Sequence, residues 1–268
     1  MQNQVMVLSM VAVFSGAAGF VSAEEKKAEQ KPGGKYGGKQ PWSEYHVHDM
    51  ARPHPVKVKT AGSVVVKAPA DAIVIFDGEN TEALTDARPN EKTELKPWVV
   101  KDGVLIASPG NTYTKQSFGS IQLHMEWRIP AGRKVNGQKG GNSGIFLMDR
   151  YEIQVQESHT NVTYADGQAA ALYGQTPPLV NASAPKGEWQ SYDIVFEAPV
   201  YDQSGMKEPA RVTVIHNGVL VHHRQKYYGP TKHKKAATYP KDHPEKAPIR
   251  FQWHGDPIEF RNIWVREL

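Results

Sequence analysis

The chain has 268 residues, of which 39% are hydrophobic and 22% charged, and its formal net charge is +4. This balance is typical of a soluble globular protein with a real core. The basic residues are interspersed with acidic ones and form no stripe that could follow a phosphate backbone, so nucleic acid is not an expected partner.

The N-terminus has the pattern of a secretory signal peptide. An apolar run covers residues 5–14, and Val21-Ser22-Ala23 forms a small-x-small cleavage site directly before charged residues. The run is too short for a membrane span. Although residues 1–4 lack Lys and Arg, we expect residues 1–23 to be removed and the mature protein to be periplasmic or secreted. An apolar core strand is the alternative, which the charged stretch that follows disfavours.

The sequence contains no cysteine, so neither a disulfide nor a lipid-modified cysteine anchor is expected, and we predict no membrane anchor. Residues 24–41 have no apolar periodicity and many Gly and Lys residues, which predicts a flexible linker. Residues 42–70 contain a His/Pro cluster and a Val-rich stretch, which indicates an extended arm lying on the following domain.

From residue 71 to residue 268 the pattern is that of one all-β domain. Strands are predicted at 73–76, 98–100, 104–106, 121–129, 145–148, 151–157, 192–196, 211–216, 219–221, 249–253 and 258–265. Hairpin signals stand at Asp102-Gly103 and Asn217-Gly218. Short antiparallel strands of this kind predict a jelly-roll β-sandwich.

One predicted strand has an unusually polar second face. Residues 121–129 alternate strictly, with apolar residues on one side and Gln122, His124, Glu126 and Arg128 on the other. A face with these side chains is suited to binding a polar ligand, although a solvated face is the commoner case. We therefore expect Glu126 to bind substrate and this face to lie beside the strand at 151–157.

The strand at 151–157 carries the strongest chemical signal. Glu152 and Gln154 point to one side, and Glu157 joins them if a β-bulge precedes it. Two neighbouring carboxylates can divide acid and base roles, which makes Glu152 and Glu157 the candidate catalytic pair. The stretch resembles the Glu-x-Asp-x-x-Glu strand of jelly-roll glucanases, with Gln154 in place of the middle Asp. Exposed strand carboxylates without any catalytic role are the alternative.

Several further polar residues are candidates for the site. Gln252 and His254 alternate on one strand face, where His254 could act as a general acid or base or could simply be a turn residue. Asn142 could present its amide to a sugar, and Tyr173 could stack on a pyranose. His46, His48 and His54 could form a metal site, but an exposed polar arm is the preferred interpretation. His233 is expected at the surface.

The chain resembles the 3-keto-disaccharide hydrolase family from about residue 73 to residue 268. The resemblance depends on many collinear segments: Ile75-Phe-Asp-Gly78, Trp98-Val-Val-Lys-Asp-Gly-Val104, Glu126-Trp-Arg-Ile-Pro130, Asn142-Ser-Gly-Ile-Phe-Leu147, Tyr151-Glu-Ile-Gln-Val155, Leu172-Tyr-Gly-Gln175, Glu188-Trp-Gln-Ser-Tyr-Asp-Ile-Val-Phe196 and Phe260-Arg-Asn-Ile-Trp-Val-Arg-Glu-Leu268.

The resemblance implies a concanavalin A-like sandwich and the cleavage of glycosides whose ring carries a ketone at C3. A C3 ketone acidifies the C2 proton, so a base can remove it and an acid can help the C1 substituent to leave. That chemistry needs no nucleophilic carboxylate. The resemblance also implies a possible divalent metal ion, whose ligands the sequence does not identify.

Three functions remain open from the sequence. The first is an exported hydrolase or lyase of 3-keto-glycosides, with a carbohydrate as its substrate. The second is a non-catalytic carbohydrate-binding sandwich, because this fold class hosts binding proteins as well as enzymes. The third is an ordinary jelly-roll glycosidase.

Overall fold

The structure is a computed structural model that describes residues 36–85 and 98–268. The predicted signal peptide and residues 24–35 of the predicted linker lie outside the described residues. Within the described ranges, no helix is long and apolar enough to cross a membrane.

Apart from a 3₁₀ turn at Ala165–Gly167, the regular elements of the described residues are strands. The strands are β1 Val56–Lys57, β2 Ile73–Phe76, β3 Leu84–Thr85, β4 Val99–Lys101, β5 Val104–Ile106, β6 Thr112–Phe118, β7 Ile121–Arg128, β8 Asn142–Leu147, β9 Tyr151–Gln156, β10 Val180–Asn181, β11 Gln190–Glu197, β12 Val200–Asp202, β13 Gly205–Glu208, β14 Arg211–His216, β15 Val219–Lys226, β16 Ala247–Phe251 and β17 Glu259–Glu267.

Two antiparallel sheets form the sandwich that the sequence predicts. The large sheet has the order β15-β14-β11-β7-β17-β5-β4, with β2 also paired to β17. The small sheet has the order β3-β6-β16-β8-β9. Two short pairs, the parallel β1-β10 and the hairpin β12-β13, lie outside these sheets.

The core lies between the two sheets and follows from strand alternation. In β7 the residues Leu123, Met125 and Trp127 are fully buried in the core cluster, and in β9 Ile153 and Val155 are as well. Because successive side chains point to opposite faces, the polar residues between them face away from the core. Each sheet therefore presents a polar outer face, on opposite sides of the sandwich.

Both hairpin predictions are confirmed. Asp102-Gly103 joins β4 to β5 with φ values of 51° and 74°, and Asn217-Gly218 joins β14 to β15 with 52° and 78°. Positive φ at both central residues is what a two-residue turn between right-twisted strands requires.

The arm is docked more closely than the predicted linker boundary implies. Within residues 36–41, expected to belong to the flexible linker, the Gly37 amide donates to the Val47 carbonyl at 2.7 Å and Gln40 is fully buried. The Gln40 amide donates to the carbonyl of Gly174 at 2.8 Å. The linker prediction is therefore wrong for residues 36–41, because the side-chain contacts of Gln40 are long-range and leave no local signal.

Farther along, the arm crosses the outer face of the large sheet. Ser63 Oγ donates to Glu126 Oε2 at 3.0 Å, and the Val66 carbonyl accepts a hydrogen bond from Trp264 Nε1 at 3.1 Å. Arg261 donates two hydrogen bonds to Glu126 Oε2, at 3.0 and 2.7 Å, and Asn262 Nδ2 donates to Oε1 at 2.9 Å. Glu126 is thus the centre of a saturated polar cluster beneath the arm.

The surroundings of Glu126 favour its ionised form. Burial alone would raise the pKa, but the interactions with His124, Asn262 and Arg261 outweigh burial and lower the pKa to about 2. A carboxylate whose pKa is lower in the folded state stabilises the fold above its unfolded pKa, and this stabilisation is lost as the pH falls through the folded pKa.

We predict that Glu126→Gln is less stable than the wild type by about 2–3 kcal/mol at pH 7, with the gap narrowing below about pH 4.5 and closing near pH 2. Urea unfolding across that pH range measures it. The matched variant Glu267→Gln loses an exposed pair with Lys246 and should change the stability by less than about 1 kcal/mol. A gap for Glu126→Gln that does not vary with pH would contradict this account.

Candidate active site

A cavity of about 290 Å³ opens on the outer face of the small sheet. Its walls combine one acidic side chain with amides, aromatic rings and two histidines. The lining residues are Asn142, Phe146, Glu152, Gln154, Tyr173, Thr231, His233, Gln252 and His254. Six of the eight residues predicted for the site are among them: Asn142, Glu152, Gln154, Tyr173, Gln252 and His254.

The register of the small sheet brings these side chains together. In the β8-β9 pair, Phe146 lies opposite Glu152 and Gly144 lies opposite Gln154. On the other side of β8, the Gln252 amide donates to the Gly144 carbonyl at 3.0 Å just beyond the end of β16. Because alternate residues share a face, three adjacent strands contribute to one polar floor.

Glu152 is the acidic group of this floor, and it is unpaired. The residue is 4% exposed, and no described residue donates a hydrogen bond to its carboxylate. Gly144 makes room for it, since a Cβ at that position would lie 2.4 Å from Glu152 Oε1. A glycine in the middle of a strand is therefore explained by the close approach of the Glu152 side chain.

Burial raises the pKa of Glu152 to about 8. The positive charge of Arg250 opposes this shift only in part. Arg250 is committed elsewhere, because its Nε pairs with Asp149 Oδ1 at 2.6 Å and its guanidinium lies 3.5 Å from the Phe146 ring centroid. A buried carboxyl with a pKa in this range can exchange a proton near neutral pH, as an acid–base group must.

An amide network lies next to Glu152. Gln154 Nε2 donates to Asn142 Oδ1 at 3.2 Å, and Asn142 Nδ2 donates to the Gln138 carbonyl at 3.0 Å. The Gln154 Oε1 atom is buried and has no hydrogen-bond partner among the described residues. A buried acceptor without a hydrogen bond is energetically costly. Gln154 Oε1 is therefore suited to accept a hydrogen bond from a hydroxyl group of a bound ligand.

The opposite wall is built from loops. Tyr173 OH is 2.9 Å from Tyr164 OH and 3.4 Å from His233 Nδ1. Desolvation raises the pKa of Tyr173 to about 12, so its hydroxyl stays protonated at neutral pH. Thr231 Oγ1 accepts a hydrogen bond from the Glu152 amide at 3.0 Å, which ties this loop to the start of β9. His254 is exposed at the rim.

Glu157 does not lie in the cavity, so the prediction that it shares a face with Glu152 is wrong. The β8-β9 register is continuous from Asn142–Gln156 to Leu147–Tyr151, without the expected bulge. Glu157 is 1% exposed, and its carboxylate accepts hydrogen bonds from the amides of His159, Thr160 and Asn161 at 2.7–3.0 Å. It holds the turn after β9.

The structure also corrects the predicted position of Glu126 beside the strand that carries Glu152. Glu126 belongs to β7 of the large sheet, whose outer face lies on the other side of the core from the cavity. Its alternation with apolar residues was identified correctly, but alternation assigns a side chain to a face of a strand and not to a particular sheet. The arm covers Glu126, whereas this strand face was expected to be open to a polar ligand.

The sequence did not identify three lining residues: Phe146, Thr231 and His233. Phe146 was assigned to a strand with no site role. Thr231 and His233 lie in the loop between β15 and β16, where no strand periodicity exists to orient a side chain. His233 was expected at the surface, and although exposed it contributes to the cavity wall.

The described residues contain no group of three or more His, Cys, Asp or Glu side chains arranged to hold a metal ion. In the arm, His46 Nδ1 is 3.1 Å from the Gly37 carbonyl, and His54 Nε2 is 2.5 Å from that of Thr163. His48 pairs with Asp166. These residues therefore do not fit the divalent metal ion that the family resemblance implies, and we assign no ligands to that ion.

The raised pKa of Glu152 has a consequence for stability. A carboxyl with a raised pKa in the folded state destabilises the fold once the pH rises from its unfolded pKa through its folded one. Glu152→Gln removes this cost and keeps the shape. We expect the variant to gain up to about 5 kcal/mol over the wild type at pH 9 and little at pH 4. Denaturant unfolding at the two pH values measures this gain. A variant that is less stable than the wild type at pH 9 would show that the Glu152 carboxyl group is not both buried and unpaired in the folded protein.

Comparison with known proteins places these observations in a family. Residues 71–266 match the 3-keto-alpha-glucoside-1,2-lyase-like domain. None of the curated proteins compared matches the chain.

Among solved structures, a candidate glycosyl hydrolase from Parabacteroides distasonis ATCC 8503 at 2.13 Å resolution is 36% identical, with a TM-score of 0.70. The match covers 82% of this chain and 96% of that one. A second candidate glycosyl hydrolase from the same organism, at 2.00 Å, is 23% identical with a TM-score of 0.50, over 74% of this chain and 99% of that one, and supports the fold alone. With a match over most of its length, this chain belongs to the 3-keto-alpha-glucoside-1,2-lyase-like domain family.

Proposed function

We propose that the protein cleaves 3-keto-glycosides by removing the C2 proton and eliminating the C1 substituent, with Glu152 as the base. Its family makes it a carbohydrate-active enzyme with a carbohydrate substrate. The proposal adds the substrate's ketone and the roles of individual residues.

The observation that carries the proposal is the single carboxyl group of the cavity. Among the described residues that line it, only Glu152 is acidic. An ordinary glycosidase of this type needs two carboxylates, about 5–5.5 Å apart when it retains configuration and about 6.5–9.5 Å apart when it inverts. A C3 ketone removes this need, because the first step then requires only one base.

The proposed reaction has two balanced stages. The Glu152 carboxylate takes the C2 proton, and the electrons of that C–H bond form an enolate with the C3 ketone. The enolate then collapses to a C1=C2 double bond, the C1–O bond breaks, and His254 at the cavity rim protonates the leaving oxygen. Water then adds: His254 takes one proton of the water as its hydroxyl bonds to C1, and Glu152 returns its proton to C2, so both residues regain their starting states and the net reaction is hydrolysis. Release before hydration would give the lyase product.

The remaining side chains supply binding and polarisation. The Gln252 side chain lines the cavity and has no hydrogen-bond partner among the described residues, so its NH₂ group can donate to the C3 oxygen as charge develops there. The unpartnered Gln154 Oε1 accepts from a sugar hydroxyl, Asn142 holds Gln154 in place, and Tyr173 offers its ring to one face of the sugar.

The cavity also disfavours a purely binding role. Carbohydrate-binding surfaces need no ionisable group that is destabilised by burial, and a neutral amide would serve the same contacts at lower cost. Retaining an unpaired carboxyl at Glu152 is consistent with acid–base chemistry.

We predict that the wild type cleaves a 3-keto-disaccharide and leaves the parent disaccharide intact, and that Glu152→Gln lowers kcat by roughly 10²–10⁴-fold. Glu157→Gln is the matched control. It alters a buried carboxylate of the same strand region outside the cavity and should keep the wild-type kcat wherever it is folded. Product analysis by chromatography measures both. Equal cleavage of the parent disaccharide would favour the ordinary glycosidase.

The roles of base and acid are separable by isotope exchange. In deuterated water, Glu152→Gln should stop exchange of the substrate C2 hydrogen, whereas His254→Gln should slow cleavage and leave exchange intact. The rate at which the wild type exchanges the C2 hydrogen should rise with pH up to about 8, because this step needs the base to be ionised and does not need the acid. Proton NMR of the substrate reports the exchange. Exchange that persists in Glu152→Gln would assign the base to another residue.

A further inference from the structure

The arm contacts the loops that form one wall of the cavity. The amide of Gly38 donates to the Lys234 carbonyl at 3.0 Å. The Trp42 ring is stacked on Tyr228, with centroids 4.0 Å apart and planes 5° apart. Residues 227–238, which include Thr231 and His233, are therefore braced by a segment that lies before residue 71, where the family match begins.

His48 is an arm residue whose ring packs against this wall. It is 6% exposed, and its ring centroid lies 4.0 Å from that of Tyr164, 4.9 Å from that of Tyr173 and 5.8 Å from that of His233. Tyr173 and His233 both line the cavity. The imidazole thus packs directly behind two residues of the site.

His48 is itself held by a fully buried carboxylate. Its backbone amide donates to Asp166 Oδ2 at 3.0 Å, and Nδ1 lies 3.4 Å from Oδ1. The backbone at His48 has a φ of 62°, a conformation that residues other than glycine adopt at a cost. The Nε2 atom is buried and has no partner among the described residues. A strained backbone, an anchored ring and a free ring nitrogen in one residue are more than simple packing requires.

We propose that His48 is a positioning residue of the active site, which the Asp166-anchored arm inserts behind Tyr173 and His233 to fix their orientation towards the substrate. With Nδ1–H directed at Asp166, the ring is fixed in one tautomer and one orientation. Tyr173 and His233, which contact each other through Tyr173 OH and His233 Nδ1, are packed against that ring. The catalytic domain of this chain is then complete only with its arm.

The proposal rests on the proposed function for its kinetic effect, but it has a readout that is independent of activity. Partial desolvation lowers the pKa of His233, and the neighbouring His48, Lys234 and His254 contribute to the shift in that order. Tyr173 is a further titratable group at this position, with its OH 3.4 Å from His233 Nδ1. Removing the His48 ring should therefore move the His233 titration to higher pH and change its chemical shift.

The test compares His48→Asn with His46→Asn in the full chain. Asparagine tolerates positive φ and can still donate to Asp166, so His48→Asn removes the ring with little backbone penalty. His46 is another arm histidine, whose Nδ1 is 3.1 Å from the Gly37 carbonyl. Its hydrogen bonds and ring contacts with described residues involve no residue of the cavity, so its variant controls for the arm. NMR titration of His233 and the kcat and KM for a 3-keto-disaccharide are measured for both.

We expect His48→Asn to lower kcat by about 10–10²-fold with a smaller change in KM, and to shift the His233 titration, because misplacing groups by about 1 Å has effects of this size. His46→Asn should do neither. An unchanged His233 titration with the wild-type kcat in His48→Asn would overturn the proposal.

If the wild type is inactive on the 3-keto substrate, the proposed function fails, and the His233 titration alone still decides the role of His48. If His48→Asn does not fold, Asp166→Asn, which keeps the side-chain volume and removes the anionic acceptor, is expected to shift the titration and lower kcat in the same way, and the absence of both effects would likewise overturn the proposal.

Discussion

The continuous hydrogen-bond register between β8 and β9 is the constraint on which the candidate active site depends. Six consecutive residues of one strand face six of the other, from Asn142–Gln156 to Leu147–Tyr151. With no residue inserted, alternate side chains stay on one face, so Glu152 and Gln154 face outwards and Glu157 does not. The position of Gly144 opposite Gln154 then leaves the space that the Glu152 carboxylate occupies.

Two buried glutamates illustrate how the same side chain is used for opposite purposes. Glu126 receives hydrogen bonds from Arg261, Asn262 and Ser63, so its charge is satisfied and its pKa is low. Glu152 is equally buried but receives none from the described residues, so its pKa is high. The first arrangement holds the arm to the large sheet. The second lowers the stability of the fold at the residue proposed to take up a proton, and such a cost is typical of functional sites.

The arm links both outer faces of the sandwich. Near Ser63 it covers the polar cluster of the large sheet, and near His48 it packs behind the loops beside the small sheet. It contributes little regular structure of its own, with β1 only two residues long. Its contacts are instead specific hydrogen bonds and ring packing with distant residues, as in the bonds from Gln40 to Gly174, 134 positions away, and from His48 to Asp166, 118 positions away.

The sequence by itself determined the fold class, the two hairpin turns and most of the cavity, because strand alternation and turn chemistry are local properties that the order of residues encodes. It also singled out Glu152, Gln154, Gln252 and His254 as polar residues at alternate positions. Only the tertiary structure decided which sheet each strand joins, and that separated Glu126 from Glu152. It likewise decided that β9 has no bulge, that Thr231 and His233 reach the cavity from a loop without periodicity, and that His48 lies behind them. These outcomes depend on long-range pairing and packing, which no local pattern specifies.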